Sequence, residues 1–411
     1  MKTIHIDGTW YDLESFKHPG GNIINYYKNQ DASEAFHAFH YRSKKAKHVL
    51  KSLPTTEITS KPTYYVYKGD TEAQNEEMIK DFNIWRTSLI ERGFFEPSYF
   101  HVVFRLMELM FLFSIATFFL FNDHITLSLI TYGVFSARCG WVQHECGHNS
   151  FTCNPKYDKF IQSILMGFGL STSASLWNSM HNKHHAATQK ETFDIDLDTL
   201  PFVAFYTNIT EHRKNINLWW IKHQAYSFLV ITSGIFVMMS WVFVLHPYYV
   251  LKKRKLIDCT AMIVSHCFQT YLFKSALECS ILYAYFNFLI TKWIASVYLF
   301  GHFSISHTFT DTVRKDAFPN WIDYALYHTV DVSTQNPVVS WVMGYLNCQC
   351  VHHLFPQMPQ FRQPMVSKEL ELYATKWNKT YKHIGYFEAW YKTFDNLHKV
   401  GKEIYSMKKI R

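Results

Sequence analysis

Two apolar runs, residues 102–121 and 125–141, are separated only by Asn122-Asp123-His124. A run of about 20 apolar residues matches the hydrocarbon thickness of a bilayer, and in lipid a single segment satisfies its own backbone only as a helix. Two such helices joined by so short a turn form a hairpin, so their outer ends emerge on one face. Arg105 and Glu108 fall near the start of the first run, where long side chains can reach the interface. Runs 257–273 and 277–303 read as a second hairpin, turning near Lys274. The run 161–176 is short and carries Gly167 and Gly169, so it reads as a half-buried helix. The run 228–245 is decided by its flank. Lys252-Lys253-Arg254-Lys255 belongs in the cytosol by the bias of basic residues, and a lone crossing at 228–245 would place it in the lumen. That run is therefore expected to lie in the interface or to re-enter. The expectation is four transmembrane helices, with both termini and all long loops cytosolic.

Apolar residues make up 48% of the 411, too few for a chain that is membrane throughout, so a soluble part is expected. Residues 1–55 are mixed and polar, with short strand and helix signals. Residues 56–98 are charged and read as a linker plus a surface helix, and 99–411 as the membrane domain. The net charge of +8 comes with Lys and Arg flanking apolar spans, so the bilayer is the expected partner and nucleic acid is not. All eight cysteines lie between Cys139 and Cys350, and Cys146, Cys348 and Cys350 sit in or beside histidine clusters. Reduced thiols on a cytosolic face fit that placement better than a secreted disulfide framework. The polar start MKTIHIDGTW carries no signal-peptide pattern. The end, Lys408-Lys409-Ile410-Arg411, resembles a dilysine retrieval signal, so a multi-pass protein of the endoplasmic reticulum membrane is expected.

The 23 histidines are the compositional anomaly. One group lies within residues 10–53: His18-Pro19-Gly20-Gly21, then Asp31-Ala32-Ser33, then Phe36-His37-Ala38-Phe39-His40. This stretch resembles the cytochrome b5 family. The resemblance implies a small α+β domain holding haem b, with His18 and His40 as axial ligands and Phe36 and Phe39 lining the pocket. His37 competes as second ligand, but three residues from His40 it should face elsewhere. Two histidine ligands leave no open iron position, so such a haem carries electrons and does not bind dioxygen.

Three further clusters follow. His144-Glu145-Cys146-Gly147-His148 ends the second apolar run. His181-Asn182-Lys183-His184-His185 lies in the next loop, and Gln349-Cys350-Val351-His352-His353 follows the last span. Residues three or four apart share a helix face, so each cluster can present its imidazoles together. The clusters supply seven histidines, and His307, just beyond the last span, is an eighth candidate. Four ligands usually satisfy one transition metal, so eight on one membrane face suffice for two. Imidazole suits iron, copper and zinc alike. An electron-carrying domain is of no use to a zinc hydrolase but is needed by an iron centre that activates dioxygen. His101, His124, His212, His246, His266 and His398 are read as ordinary packed or surface residues.

In order and spacing these boxes resemble the membrane fatty-acid desaturase family, over roughly 100–403. A fused b5 domain together with Gln349 opening the third box resembles its front-end branch, which desaturates between an existing double bond and the carboxyl end. The resemblance implies an all-α integral membrane domain with a cytosolic histidine-rich cap. It also implies a di-iron centre of two iron ions, held by the eight histidines and Gln349. Asp194, Asp196 and Asp198 are candidates to orient ligand imidazoles. Implied partners are dioxygen, a fatty acyl-CoA or acyl-lipid substrate, and an NADH-cytochrome b5 reductase as electron donor. Competing readings are a sphingolipid long-chain-base desaturase, a b5-fused fatty-acid hydroxylase, and a membrane-tethered haem electron carrier.

Overall fold

The computed structural model describes residues 2–57, 62–212 and 216–410. Residues 58–61 of the expected linker, and Arg411 of the basic tail, lie outside them. The chain opens with a hairpin, β1 (Thr3–Ile6) against β2 (Thr9–Asp12), antiparallel. Asp7 and Gly8 both have positive φ, at 49° and 83°, as a two-residue turn between twisted strands requires. Ile4, Ile6, Leu13 and Ala32 form a small core with Phe16, Ile24, Phe36, Leu50 and Leu53. Phe36 comes from α1 (Ser33–His40), Leu50 from α2 (Lys44–Ser52).

The opposite face of α1 belongs to a second core. Ala35, Ala38 and Phe39 pack there with Trp321, Ile322, Cys350, Val351 and Leu354. The same core takes Met78, Phe82 and Leu89 from α3 (Glu72–Glu91). The surface helix expected within 56–98 thus has one face fully buried.

α4 (Tyr99–Phe121) and α5 (Ile125–Gly147) are the expected hairpin. α4 exposes Phe100, Phe104, Met107, Met110, Phe111 and Phe118 on one flank, apolar surface that only lipid covers at low cost. α5 is nearly all buried from Tyr132 onward. Its Gly133, Gly140 and Gly147, seven apart, admit Ile294, Leu299 and Trp177 so closely that any Cβ there would clash. The half-buried helix expected at 161–176 resolves into α6 (Pro155–Ile164), a π-helical turn (Leu165–Gly169) and the start of α7 (Ala174–Ala186).

By length and apolar content, three helices among the described residues can cross a membrane: α4, α5 and a 30-residue run, α8 (Gln224–Lys253). The segment 228–245 lies within this one continuous helix, with π-helical stretches. It packs against α10 (Ile281–Ser304), where Ser233 meets Ser296, Gly234 meets Trp293 and Val297, and Trp241 meets Phe300. α9 (Leu256–Leu277) and α10, the second expected hairpin, are about as long as α4 and α5 but are not among those three. Asp258, Gln269, Asn287 and Lys292 are turned inward and buried, while Ile263, Val264, Tyr271, Leu282 and Phe286 are exposed. The remaining long elements, α11 (Trp321–His328), α12 (Gln349–Leu354), α13 (Gln363–Lys376) and α14 (Tyr386–Ile410), lie beyond the helical hairpins. All eight cysteines are unpaired.

Candidate active site

Phe36 and His40, four apart on α1, share a face. Their rings are 5.1 Å apart, and His40 faces His18 at 6.1 Å between centroids. The Gly20 amide donates to His18 Nδ1 at 3.1 Å, and a Cβ on Gly20 would fall 2.9 Å from the His18 ring. Gly21 has φ +75°, so both glycines of this turn are dictated by its geometry. Burial lowers the pKa of His18, and burial with His18 nearby pushes His40 down to about 4. Two neutral imidazoles facing each other beside an apolar ring fit a bis-histidine haem. His37 turns away, its Nε2 against both Asp7 oxygens at 2.9 and 3.0 Å. Phe39, expected in this pocket, is not in it. One residue is a step of about 100° around a helix, and that step turns Phe39 from the His40 face towards the body.

In the body, α5 carries His144 in its last turn and presents His148 as its cap, α7 carries His181, His184 and His185, and α12 carries Gln349, His352 and His353. Two groups result. Ligand atoms of His144, His148, His181, His185 and His352 all lie within 4.8 Å of one another, and so do those of His184, Asp196 and His307. His353 stands between them, its ring 4.2 Å from His185, 5.0 Å from His184 and 6.5 Å from His307. Gln349 Nε2 approaches His353 Nε2 at 3.2 Å. Every box residue named from sequence, and His307, is thus brought to one place.

The donor set fits metal. His148 Nε2 meets His181 Nε2 at 2.9 Å, His181 meets His185 at 3.1 Å, and His185 meets His352 at 3.0 Å, always Nε2 to Nε2. Each such contact holds at most one proton, so four converging lone pairs are not mutually satisfied; a cation among them satisfies them together. His144 Nε2, His184 Nε2, His307 Nδ1 and Gln349 Oε1 are buried with no hydrogen-bond partner, a costly state for polar atoms. Burial, reinforced by neighbouring imidazoles, drives His181, His185, His352 and His353 well below the usual histidine pKa. Neutral imidazole is the form that binds metal.

The far nitrogens are held from outside. Asp194 takes His184 Nδ1 at 3.0 Å with both oxygens, Thr188 Oγ1 meets His353 Nδ1 at 3.0 Å, and Gln360 Nε2 meets His144 Nδ1 at 2.7 Å. The Gln360 amide donates to Glu145 Oε1 at 2.9 Å, and Glu145 Oε2 faces His101 Nε2 at 3.0 Å. Sequence reasoning missed Thr188, Gln360 and His101. Thr188 lies only three residues beyond the second box; nothing marks the other two. Of the three aspartates, Asp194 orients, Asp196 joins the second group, and Asp198 is exposed.

An apolar pocket adjoins the first group, lined among others by Gln143, Met166, Trp177, Trp241 and Phe303. Trp177 stacks on His181 at 4.3 Å and lies edge-on to His144 at 5.3 Å, so one aromatic wall separates pocket from imidazoles.

Residues 124–385 match the family model described as fatty acid desaturase, and residues 2–82 match the cytochrome b5-like heme/steroid binding domain. The chain belongs to the fatty acid desaturase family, as a front-end member with its own b5-type haem domain. It is 34% identical to an acyl-lipid (8-3)-desaturase of Thraustochytrium sp, over 98% of this chain and 93% of that one. A second acyl-lipid (8-3)-desaturase, of Rebecca salina, is 35% identical over 97% and 91%. A delta(5) fatty acid desaturase of Caenorhabditis elegans is 27% identical over 87% and 86%.

Proposed function

We propose that this oxidoreductase introduces a cis double bond into a polyunsaturated acyl chain, at the delta-5 or delta-6 position. The observation that carries the reading is the convergence of three distant boxes on two groups of unsatisfied imidazoles, beside an apolar pocket and under a haem-type domain. The acyl-lipid names of two relatives favour a lipid-borne acyl chain over an acyl-CoA.

Two irons are assigned to the two groups, one to His144, His148, His181, His185 and His352, the other to His184, His307 and Asp196. His353 and Gln349 lie within reach of the second. Iron held here supplies oxidising power that no side-chain acid or base has against an unactivated methylene. The chain's own residues do the rest. Asp194, Thr188 and Gln360 hold imidazole tautomers. Trp177 and Phe303 keep the pocket dry and give the acyl chain an apolar wall. The haem domain is assigned to 1–55, the linker with its helix to 56–98 and the membrane domain to 99–411, with His18 and His40 as haem ligands. An NADH-dependent b5 reductase is the assigned electron source.

Four spans, α4, α5, α9 and α10, are assigned, in the endoplasmic reticulum membrane. The basic run at 252–255 supports leaving α8 at the interface, which keeps that run on the cytosolic face with the boxes.

The test is expression in yeast fed a panel of polyunsaturated fatty acids, with mass analysis of the lipids. A product lacking two hydrogens, with its new bond on the carboxyl side of an existing one, is expected. A product heavier by one oxygen would establish a hydroxylase instead. No change in fed acids, with altered sphingoid bases, would move the substrate to sphingolipid.

A further inference from the structure

We infer that Phe39 is the contact through which the haem domain passes electrons to the histidine-held metal. This rests on the reading above that both sites hold iron. α1 has two working faces. His40 and Phe36 look into the haem pocket, and Phe39, the next residue along the backbone from His40, looks the other way. Its ring meets His185 edge-on at 6.2 Å and 89°, and Trp321 at 5.9 Å and 78°. His185 is a member of the five-imidazole group. One peptide unit and one aromatic contact therefore join the two sites.

The contact is clamped. Gln357 Nε2 donates to the Phe39 carbonyl at 2.6 Å, and Arg42 Nη1 donates to the Gln357 carbonyl at 2.7 Å. Arg42 also donates to the Phe95 carbonyl and, at 3.0 Å, to Cys153 Sγ. Tyr26, of the same domain, lies edge-on to Phe193 at 5.4 Å. A domain that only swung on its linker would need none of this. Gln357 and Arg42 make a reciprocal bracket around the haem-domain ring that meets His185.

In the step, ferrous haem iron loses one electron and becomes ferric, while a ferric iron at the histidine groups gains it and becomes ferrous. The b5 reductase restores the haem. No bond forms or breaks and no proton moves; Phe39 stays closed-shell and acts as a positioning residue that closes the gap.

The test uses the full-length holoenzyme with haem pre-reduced, mixed rapidly with dioxygen and acyl substrate while the haem absorbance reports reoxidation. Phe39→Ala is expected to slow reoxidation about tenfold or more, as loss of close positioning does elsewhere. Phe39→Tyr should restore the rate. Haem content and haem potential should stay at wild-type values, since the ring lies outside the haem pocket. In metal-free protein, amide exchange across 349–354 should rise in Phe39→Ala and not in Phe39→Tyr. Wild-type reoxidation rates in Phe39→Ala, or unchanged exchange, would overturn the inference. Failure of wild-type haem to reoxidise on demand would sink the di-iron reading instead.

Discussion

His184 has one ring nitrogen tied and one left over. Nδ1 faces both oxygens of Asp194 at 3.0 Å, while Nε2 is buried with no partner. A carboxylate on Nδ1 fixes the proton there and aims the Nε2 lone pair inward. Burial alone would lower the His184 pKa, but Asp194 and Asp196 outweigh it and lift it to about 9. Asp194→Asn keeps the shape and removes the charge. It is expected to lower metal affinity or turnover by about 10- to 100-fold, as loss of such outer partners does. Iron per chain by emission spectroscopy, and product in fed yeast, read the effect, with haem absorbance unchanged. Wild-type iron and turnover would reduce Asp194 to a loop brace, a role it also fills through the Gln189 and Asp196 amides.

Among the elements, α5 sets the frame, because its end carries the first box and its glycine stripe fixes how near α10 comes. At Gly133 a Cβ would sit 2.4 Å from Ile294 Cγ2 and 2.6 Å from Ile294 Cβ. A branched carbon at its root cannot swing away, so the helices must part. Gly133→Ala is expected to destabilise the protein by about 1–3 kcal/mol, the usual cost of overpacking. Melting followed by fluorescence-detected size exclusion reads it, with Gly385→Ala, whose Cβ meets open space, as the control. Equal melting of the two variants would show that the α5–α10 contact yields freely. Sequence made the α4–α5 hairpin legible because lipid imposes length and apolarity on it. The boxes were legible because helical spacing makes imidazoles converge. α9 and α10 were visible only as apolar runs, since Asn287 and Lys292 are buried among protein groups that hydropathy does not see. Gln360 was not legible at all: its partner His144 lies 216 positions away, and nothing local marks a glutamine that orients a histidine.

At the scale of the whole molecule, docking of the haem domain was equally hidden, because Phe39, Arg42 and Gln357 meet across surfaces no motif describes. What the boxes imply globally is a staple. α5, α7 and α12 are remote in sequence, and their imidazoles meet through Nε2 contacts that cannot all be hydrogen-bonded. A metal shared by them binds the folded chain and not the unfolded one, so it must stabilise the fold. A hundredfold excess over the dissociation constant corresponds to about 2.7 kcal/mol. Chelation under reducing conditions is therefore expected to lower the melting temperature of the membrane domain, with the haem absorbance band in place. Ferrous iron should restore both melting and turnover. Zinc, which imidazole also suits, should restore melting alone, because it has no redox chemistry. That split separates a structural staple from a redox centre. Unchanged melting after chelation, in protein shown to have bound iron, would mean that the imidazole contacts hold the three helices without it.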